Sequence, residues 1–194
     1  MAKRESTLKN MLLALLVITL VASASLGGIY ELTKEPIAAA KLEKKNNAIR
    51  QVIPEFDNSP TNEVYKEAVD GDTLYFYPGK KGEDLIGTAV ETFTNLGFSG
   101  EIKLMVGFLP DGTINDVAVL EHEETPGLGD KMERKKSDWS IQFQGKDPET
   151  FRLLVKKDGG DVDAITASTI SSRAFCDAVN RAYEVYKEKS GSQQ

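Results

Sequence analysis

Residues 101–122 read EIKLMVGFLPDGTINDVAVLEH, two β-like runs parted by Pro110-Asp111-Gly112. Isoleucine, valine and leucine recur in both runs, joined by methionine and phenylalanine in the first. The Pro-Asp-Gly step reverses a chain readily, because proline presets φ, aspartate bonds its own backbone and glycine accepts a positive φ. The stretch predicts a β-hairpin, and the texture continues on both sides. Upstream, TLYFYP (73–78) and LIGTAVETFTN (85–95) flank the turn-rich GKKGED. Downstream, a loop-rich region from Glu123 to about Asp147 contains Trp139, and FRLLVKK (151–157) predicts one more strand before Gly159-Gly160.

The period then changes. In SSRAFCDAVNRAYEVYKEK (171–189), Ala174, Phe175, Ala178, Val179, Ala182, Tyr183 and Tyr186 recur at helical spacing and make one apolar face. Ser171 or Ser172 is a natural N-cap. The class is α+β, an antiparallel sheet with a C-terminal helix.

From Met11 to Tyr30 the chain runs MLLALLVITLVASASLGGIY without a charge. As a helix rising about 1.5 Å per residue, it crosses the roughly 30 Å hydrocarbon core of a bilayer. Ala22-Ser23-Ala24 also resembles a signal-peptide cleavage site, although the apolar run continues past it. Anchor or signal, the main domain is exported. Lys3, Arg4 and Lys9 precede the span, whereas Glu31, Lys34 and Glu35 behind it roughly cancel, so the N-terminus is expected in the cytoplasm. Pro36 then opens a run of good helix formers, predicting a stalk helix from Glu35 to about Val52 that ends before Pro54. The expected organisation is a cytoplasmic tail (1–10), a transmembrane helix (11–30), a stalk and polar connector (31–63), an extracytoplasmic domain (64–190) and a frayed tail (191–194).

Hydrophobic residues make up 40% and charged residues 28%, enough apolar side chains for a folded core. The net charge is −6, and the basic N-terminus leaves the remainder more acidic still, which argues against nucleic acid as a partner. One cysteine, Cys176, and one histidine, His122, exclude a disulfide framework and any metal site needing several of either. Cys176 lies on the predicted helix and reads as a small core residue.

Two segments stand out chemically. DAITASTISS (163–172) crowds Thr166, Ser168, Thr169, Ser171 and Ser172 just before a helix, where free N–H groups favour an anion. HEETPGLGDK (122–131) follows the hairpin, and its proline and glycines permit a tight turn and close approach to a flat ligand. Taken alone, the first also reads as a Ser/Thr-rich cap and the second as an ordinary loop.

Together, GFSGEIKLMVGFLPDGTINDVAVLEHEETPGLGDKM (97–132) and DAITASTISSRAFCDAV (163–179) resemble the FMN-binding domain shared by RnfG and NqrC subunits. The resemblance covers roughly residues 65–187, and the compact length is closer to RnfG. It implies FMN joined by a phosphoester to the last threonine of a Ser/Thr-Gly-Ala-Thr motif, which falls on Thr169. Ala167 stands where the motif has glycine and Ser168 where it has alanine, leaving a competing hydroxyl. Asp163, Thr166 and Ser168 are then the other residues of the acceptor loop. Glu124, Thr125, Pro126, Gly127, Leu128 and Gly129 form the loop expected to face the isoalloxazine ring. His122, Lys131 and Trp139 are further candidates for flavin contact, each equally readable as an ordinary surface or core residue.

The resemblance further implies an ApbE-like flavin transferase, using FAD as donor with Mg²⁺. It implies Rnf-type subunits as partners in the inner membrane, with the domain on the periplasmic side, and an electron carrier without a substrate pocket or independent catalysis. Such complexes couple electron flow between ferredoxin and NAD to Na⁺ or H⁺ movement. Rival readings are a free-standing exported covalent-FMN carrier and a non-redox anchored scaffold. A serine hydrolase using Ser168 or Ser171 is weaker, since only the distant His122 offers a base.

Overall fold

The computed structural model describes residues 7–69 and 72–191. Most of the expected cytoplasmic tail and of the frayed C-terminal tail lies outside the described residues. The chain divides into two compact units, Met1–Glu43 and Lys44–Gln194. Helix α1 (Leu8–Val52) carries the apolar segment, with a mean hydropathy of 2.4 over its most apolar window, none of it buried in the structure. This fits one membrane-spanning helix. The expected break at Pro36 is absent, because α1 continues through it. Proline there deprives one carbonyl of its i→i−4 donor, but Ala38, Ala39, Ala40 and the Lys/Glu-rich turns beyond it favour helix strongly enough to carry on.

The second unit is built on a meander of five antiparallel strands in spatial order β1-β2-β3-β4-β5. They are β1 (Tyr65–Val69), β2 (Asp72–Lys81), β3 (Asp84–Thr94), β4 (Ile102–Phe108) and β5 (Ile114–His122). The hairpin forms where expected, with Met105 opposite Ala118 and Gly112 at φ 88°. Strand β1 has no counterpart in the sequence reading. It is short and charged, as suits a sheet edge, and gives little periodicity to detect.

Both faces of the sheet are covered, which is why β4 is apolar almost throughout instead of alternating. On one face Leu104, Val106 and Phe108 meet helix α2 (Thr169–Gly191) through Phe175, Ala178, Val179 and Ala182. Thr92 Oγ1 donates to the Ala178 carbonyl at 3.0 Å, tying β3 to α2. On the other face Met105, Ala89 and Tyr77 meet Ala48, Ile49, Val52 and Ile53. The end of α1 lies directly on bare backbone there: a Cβ on Gly107 would stand 1.9 Å from the Val52 carbonyl oxygen. That carbonyl accepts a hydrogen bond from Asn115 Nδ2 at 2.9 Å.

Two expectations are corrected. FRLLVKK is not a sheet strand. Leu153 and Val155 are buried, but Val155 pairs only in an isolated bridge with Val162. Gly159, at φ 83°, turns the segment back so that its backbone bonds locally, Lys156 N to Val162 O and Asp161 N to Arg152 O. Helix α2 starts at Thr169 instead of after a cap at Ser171 or Ser172. Ser172 N donates to the Ser168 carbonyl at 3.1 Å, which makes Ser168 the capping residue and puts Thr169 in the first turn.

Candidate functional site

Three loops converge at the N-terminus of α2: residues 95–100 between β3 and β4, the segment after β5, and the residues leading into Thr169. They enclose a cavity of about 330 Å³ lined by Phe98, Glu124, Thr125, Leu128, Gly129 and residues 167–171, near the lower end of the roughly 300–1,000 Å³ typical of small-molecule sites.

Its floor is organised around Glu124, which is only 5% exposed. Ser171 Oγ donates to Glu124 Oε2 at 2.6 Å, and the Ser99 amide donates to Oε1 at 3.1 Å. Ser168 and Ser171 hydroxyls lie 2.8 Å apart. Because Ser171 spends its proton on the carboxylate, Ser168 is the donor between the two. Two glycines make room for the carboxylate. A Cβ on Gly129 would stand 2.6 Å from Oε2, and one on Gly97 would stand 2.8 Å from Oε1. The Glu124 amide donates to His122 Nδ1 at 3.1 Å, so the neutral ring carries its proton on Nε2, 3.1 Å from Glu133 Oε1.

Ala167 is the one non-glycine among the described residues with positive φ, at 61°. This left-handed residue turns the chain from the hydroxyl-rich loop into α2. It coincides with the position where the resembled motif carries glycine, a residue that adopts this conformation freely. Thr169 follows, half-buried in the cavity wall, and makes no side-chain hydrogen bond among the described residues. Ser168 is buried and bonded. The two adjacent hydroxyls therefore differ in both access and commitment.

Of the ten site residues expected from sequence, Glu124, Thr125, Leu128, Gly129, Ser168 and Thr169 line the cavity, while Pro126, Gly127, Asp163 and Thr166 do not. Pro126 and Gly127 form the exposed crest of the loop, with Gly127 at φ 79°. Thr166 is exposed. Asp163 points its carboxylate to solvent, 2.8 Å from Lys156 Nζ, while its backbone is gripped by Gln142 and Trp139. Trp139 stands edge-on to Phe175 at 5.0 Å and serves the core. His122 supports the loop from behind, and neither it nor Lys131 lines the cavity. Cys176 is buried, and burial pushes its thiol up to about 12. Phe98 and Ile170 escaped the sequence reading. Phe98 is 66% exposed although aromatic, and its position between Gly97 and Gly100 was the available signal.

The family model described as FMN-binding domain matches residues 97–184, a span that contains every residue lining the cavity. The G subunit of the ion-translocating oxidoreductase complex of Aliivibrio fischeri (strain ATCC 700601 / ES114) is 34% identical over 194 residues, covering 94% of this chain and 91% of the relative. The protein of the same name from Haemophilus influenzae (strain PittEE) is 37% identical over 174 residues, covering 85% and 83%. The chain belongs to the RnfG family.

The site suits the cofactor named by the family model. FMN joins a flat, largely apolar ring to a phosphate. Phe98, Leu128 and Ile170 offer partly exposed apolar surface around the cavity. The first amides of α2, which a helix leaves without intrahelical acceptors, offer the anion seat. The apolar span and the RnfG flavin domain come in one polypeptide, and the match to the relatives runs through nearly their full length. Among the described residues no cluster of three or more His, Cys, Asp or Glu could hold a metal.

Proposed function

We propose that this protein is the electron-transferring flavoprotein subunit of an Rnf-type membrane complex, with FMN carried as a phosphoester on Thr169. The observation supporting the attachment is the contrast at the start of α2. Thr169 lines the cavity and its hydroxyl makes no hydrogen bond among the described residues, whereas Ser168 and Ser171 are tied in series to Glu124. A threonine hydroxyl is a weak nucleophile, so attachment falls to an ApbE-like transferase working with Mg²⁺. The Thr169 proton leaves, an oxygen–phosphorus bond forms, the FAD pyrophosphate bond breaks and AMP departs. FMN held there supplies reversible electron uptake and release. The chain's own contribution is to hold the phosphate at the helix N-terminus and flank the ring with Phe98, Leu128 and Ile170, over a floor organised by Glu124 and its serines.

The relatives' name supports membership in a multisubunit complex. On this reading the partners are the other Rnf-type subunits, and the complex couples electron flow between ferredoxin and NAD to ion movement. The cationic N-terminus supports an orientation with the domain on the periplasmic side of the inner membrane.

The test is intact mass with peptide mapping after coexpression with the transferase, wild type beside Thr169→Ala. A mass increment of FMN minus water on the wild type alone, mapped to the peptide containing Thr169, is the expected result. No adduct with an active transferase refutes covalent attachment, and an adduct retained by the variant refutes the site.

A further inference from the structure

We propose that Glu124 sets the reduction potential of the flavin, holding it low by placing an uncompensated negative charge in the cavity wall. The inference rests on the flavin-carrier reading above. Glu124 lines the cavity and is almost wholly buried. Both its oxygens accept hydrogen bonds, from the Ser171 hydroxyl and the Ser99 amide, and both donors are neutral. Its acidic neighbours are differently placed: Glu133 lies 3.1 Å from His122, and Asp130 lies 3.7 Å from Lys136. No lysine or arginine lies within 4.0 Å of Glu124 among the described residues, so hydrogen bonds hold its charge in place without cancelling it.

The surroundings show that this carboxylate is built in. Gly97 and Gly129 pack against its two oxygens so closely that any side chain would collide with them. His122 grips its amide from behind. Adding electrons to the ring brings negative charge into the same cavity, and an almost fully buried fixed charge of like sign opposes it with less screening than a charge in bulk solvent. Glu124 is therefore a positioning residue for charge. Its removal favours the reduced flavin without altering where the flavin is attached.

The experiment is spectroelectrochemical titration of the full-length, flavin-loaded protein in detergent, comparing wild type with Glu124→Gln, Glu124→Asp and Glu123→Gln. Glu123 is the adjacent, exposed carboxylate, so its variant changes the net charge identically but in solvent. Glu124→Gln is expected to raise the reduced-to-oxidised ratio at least tenfold at fixed potential, an upward shift of about 30 mV or more for a two-electron couple. Glu124→Asp, which keeps the charge, stays within threefold of wild type, as does Glu123→Gln. An unchanged potential in Glu124→Gln overturns the proposal, as does an equal shift in Glu123→Gln or Glu124→Asp. Failure of the underlying reading is distinguishable, because the wild type would then carry no flavin to titrate. Should Glu124→Gln fail to fold, Ser171→Ala decides. It removes one neutral donor while keeping the charge, so the potential should fall, and an unchanged or raised potential overturns the proposal.

Discussion

Replacing Ala167 with glycine should stabilise the protein, against the usual rule that glycine weakens a fold. Ala167 is held at φ 61°, where its Cβ crowds the following carbonyl at a cost of about 1–2 kcal/mol. Glycine removes that cost but enlarges the unfolded ensemble, which gives back about 0.4–1 kcal/mol. The side chain is exposed, so little packing is lost. The net expectation is a gain of about 0.5–1 kcal/mol, or about 2 °C in midpoint for a domain of this size. Trp139, the only tryptophan, sits half-buried against Phe175 and reports unfolding of this region by fluorescence. Equilibrium urea unfolding of the full-length chain in detergent, with an unchanged slope, gives the difference directly. Ala164→Gly is the control. It lies in the same loop at an ordinary φ, packs partly against the core, and should lose about 0.5–1 kcal/mol. If Ala167→Gly matches or falls below wild type, the positive φ carries no strain and the reasoning fails.

Two further outcomes follow from packing and burial. Gly107→Ala places a methyl 1.9 Å from the Val52 carbonyl oxygen; it should cost about 3 kcal/mol or more, and proteolysis near Val52 should accelerate in step. Burial raises the Cys176 thiol from an ordinary 9.0 to about 12. Well below pH 9 neither folded nor unfolded chain loses this proton, so the thiol leaves stability unaffected. Between pH 9 and 12 the unfolded chain ionises first and stability declines, by at most about 4 kcal/mol from this group. Cys176→Ala should flatten that decline in alkaline urea titrations, and the native thiol should resist thiol reagents at pH 8 until the protein is denatured.

Much of the architecture was legible because its signals are local. The Pro110-Asp111-Gly112 turn, the apolar run of Met11–Tyr30 and the helical period of α2 each declare themselves within a few residues. What failed depended on distant partners. FRLLVKK has the alternation of a strand, yet Leu153 and Val155 are buried without a ladder because Gly159 folds the segment onto itself. Strand β1 carries too few apolar residues to mark it, and exists because β2 offers it a free edge. The N-terminus of α2 was misplaced because a run of hydroxyl residues offers several equivalent caps. Only the meeting of Ser171 with Glu124, 47 residues earlier, selects one.

The site divides the same way. Sequence alone determined that an α+β domain follows one apolar helix; composition set apart the segments 122–131 and 163–172, and the family resemblance singled out Thr169 and Glu124–Gly129 within them. Tertiary structure decided which of those residues share a cavity. It admitted Phe98 and Ile170, turned Asp163, Thr166, Pro126 and Gly127 outward, and gave Ser168 and Thr169 different burial and hydrogen bonding. The reason is physical: hydrogen-bond partners and burial are properties of the assembled loops, and neighbouring residues with the same functional group acquire different chemistry only when distant segments close around them.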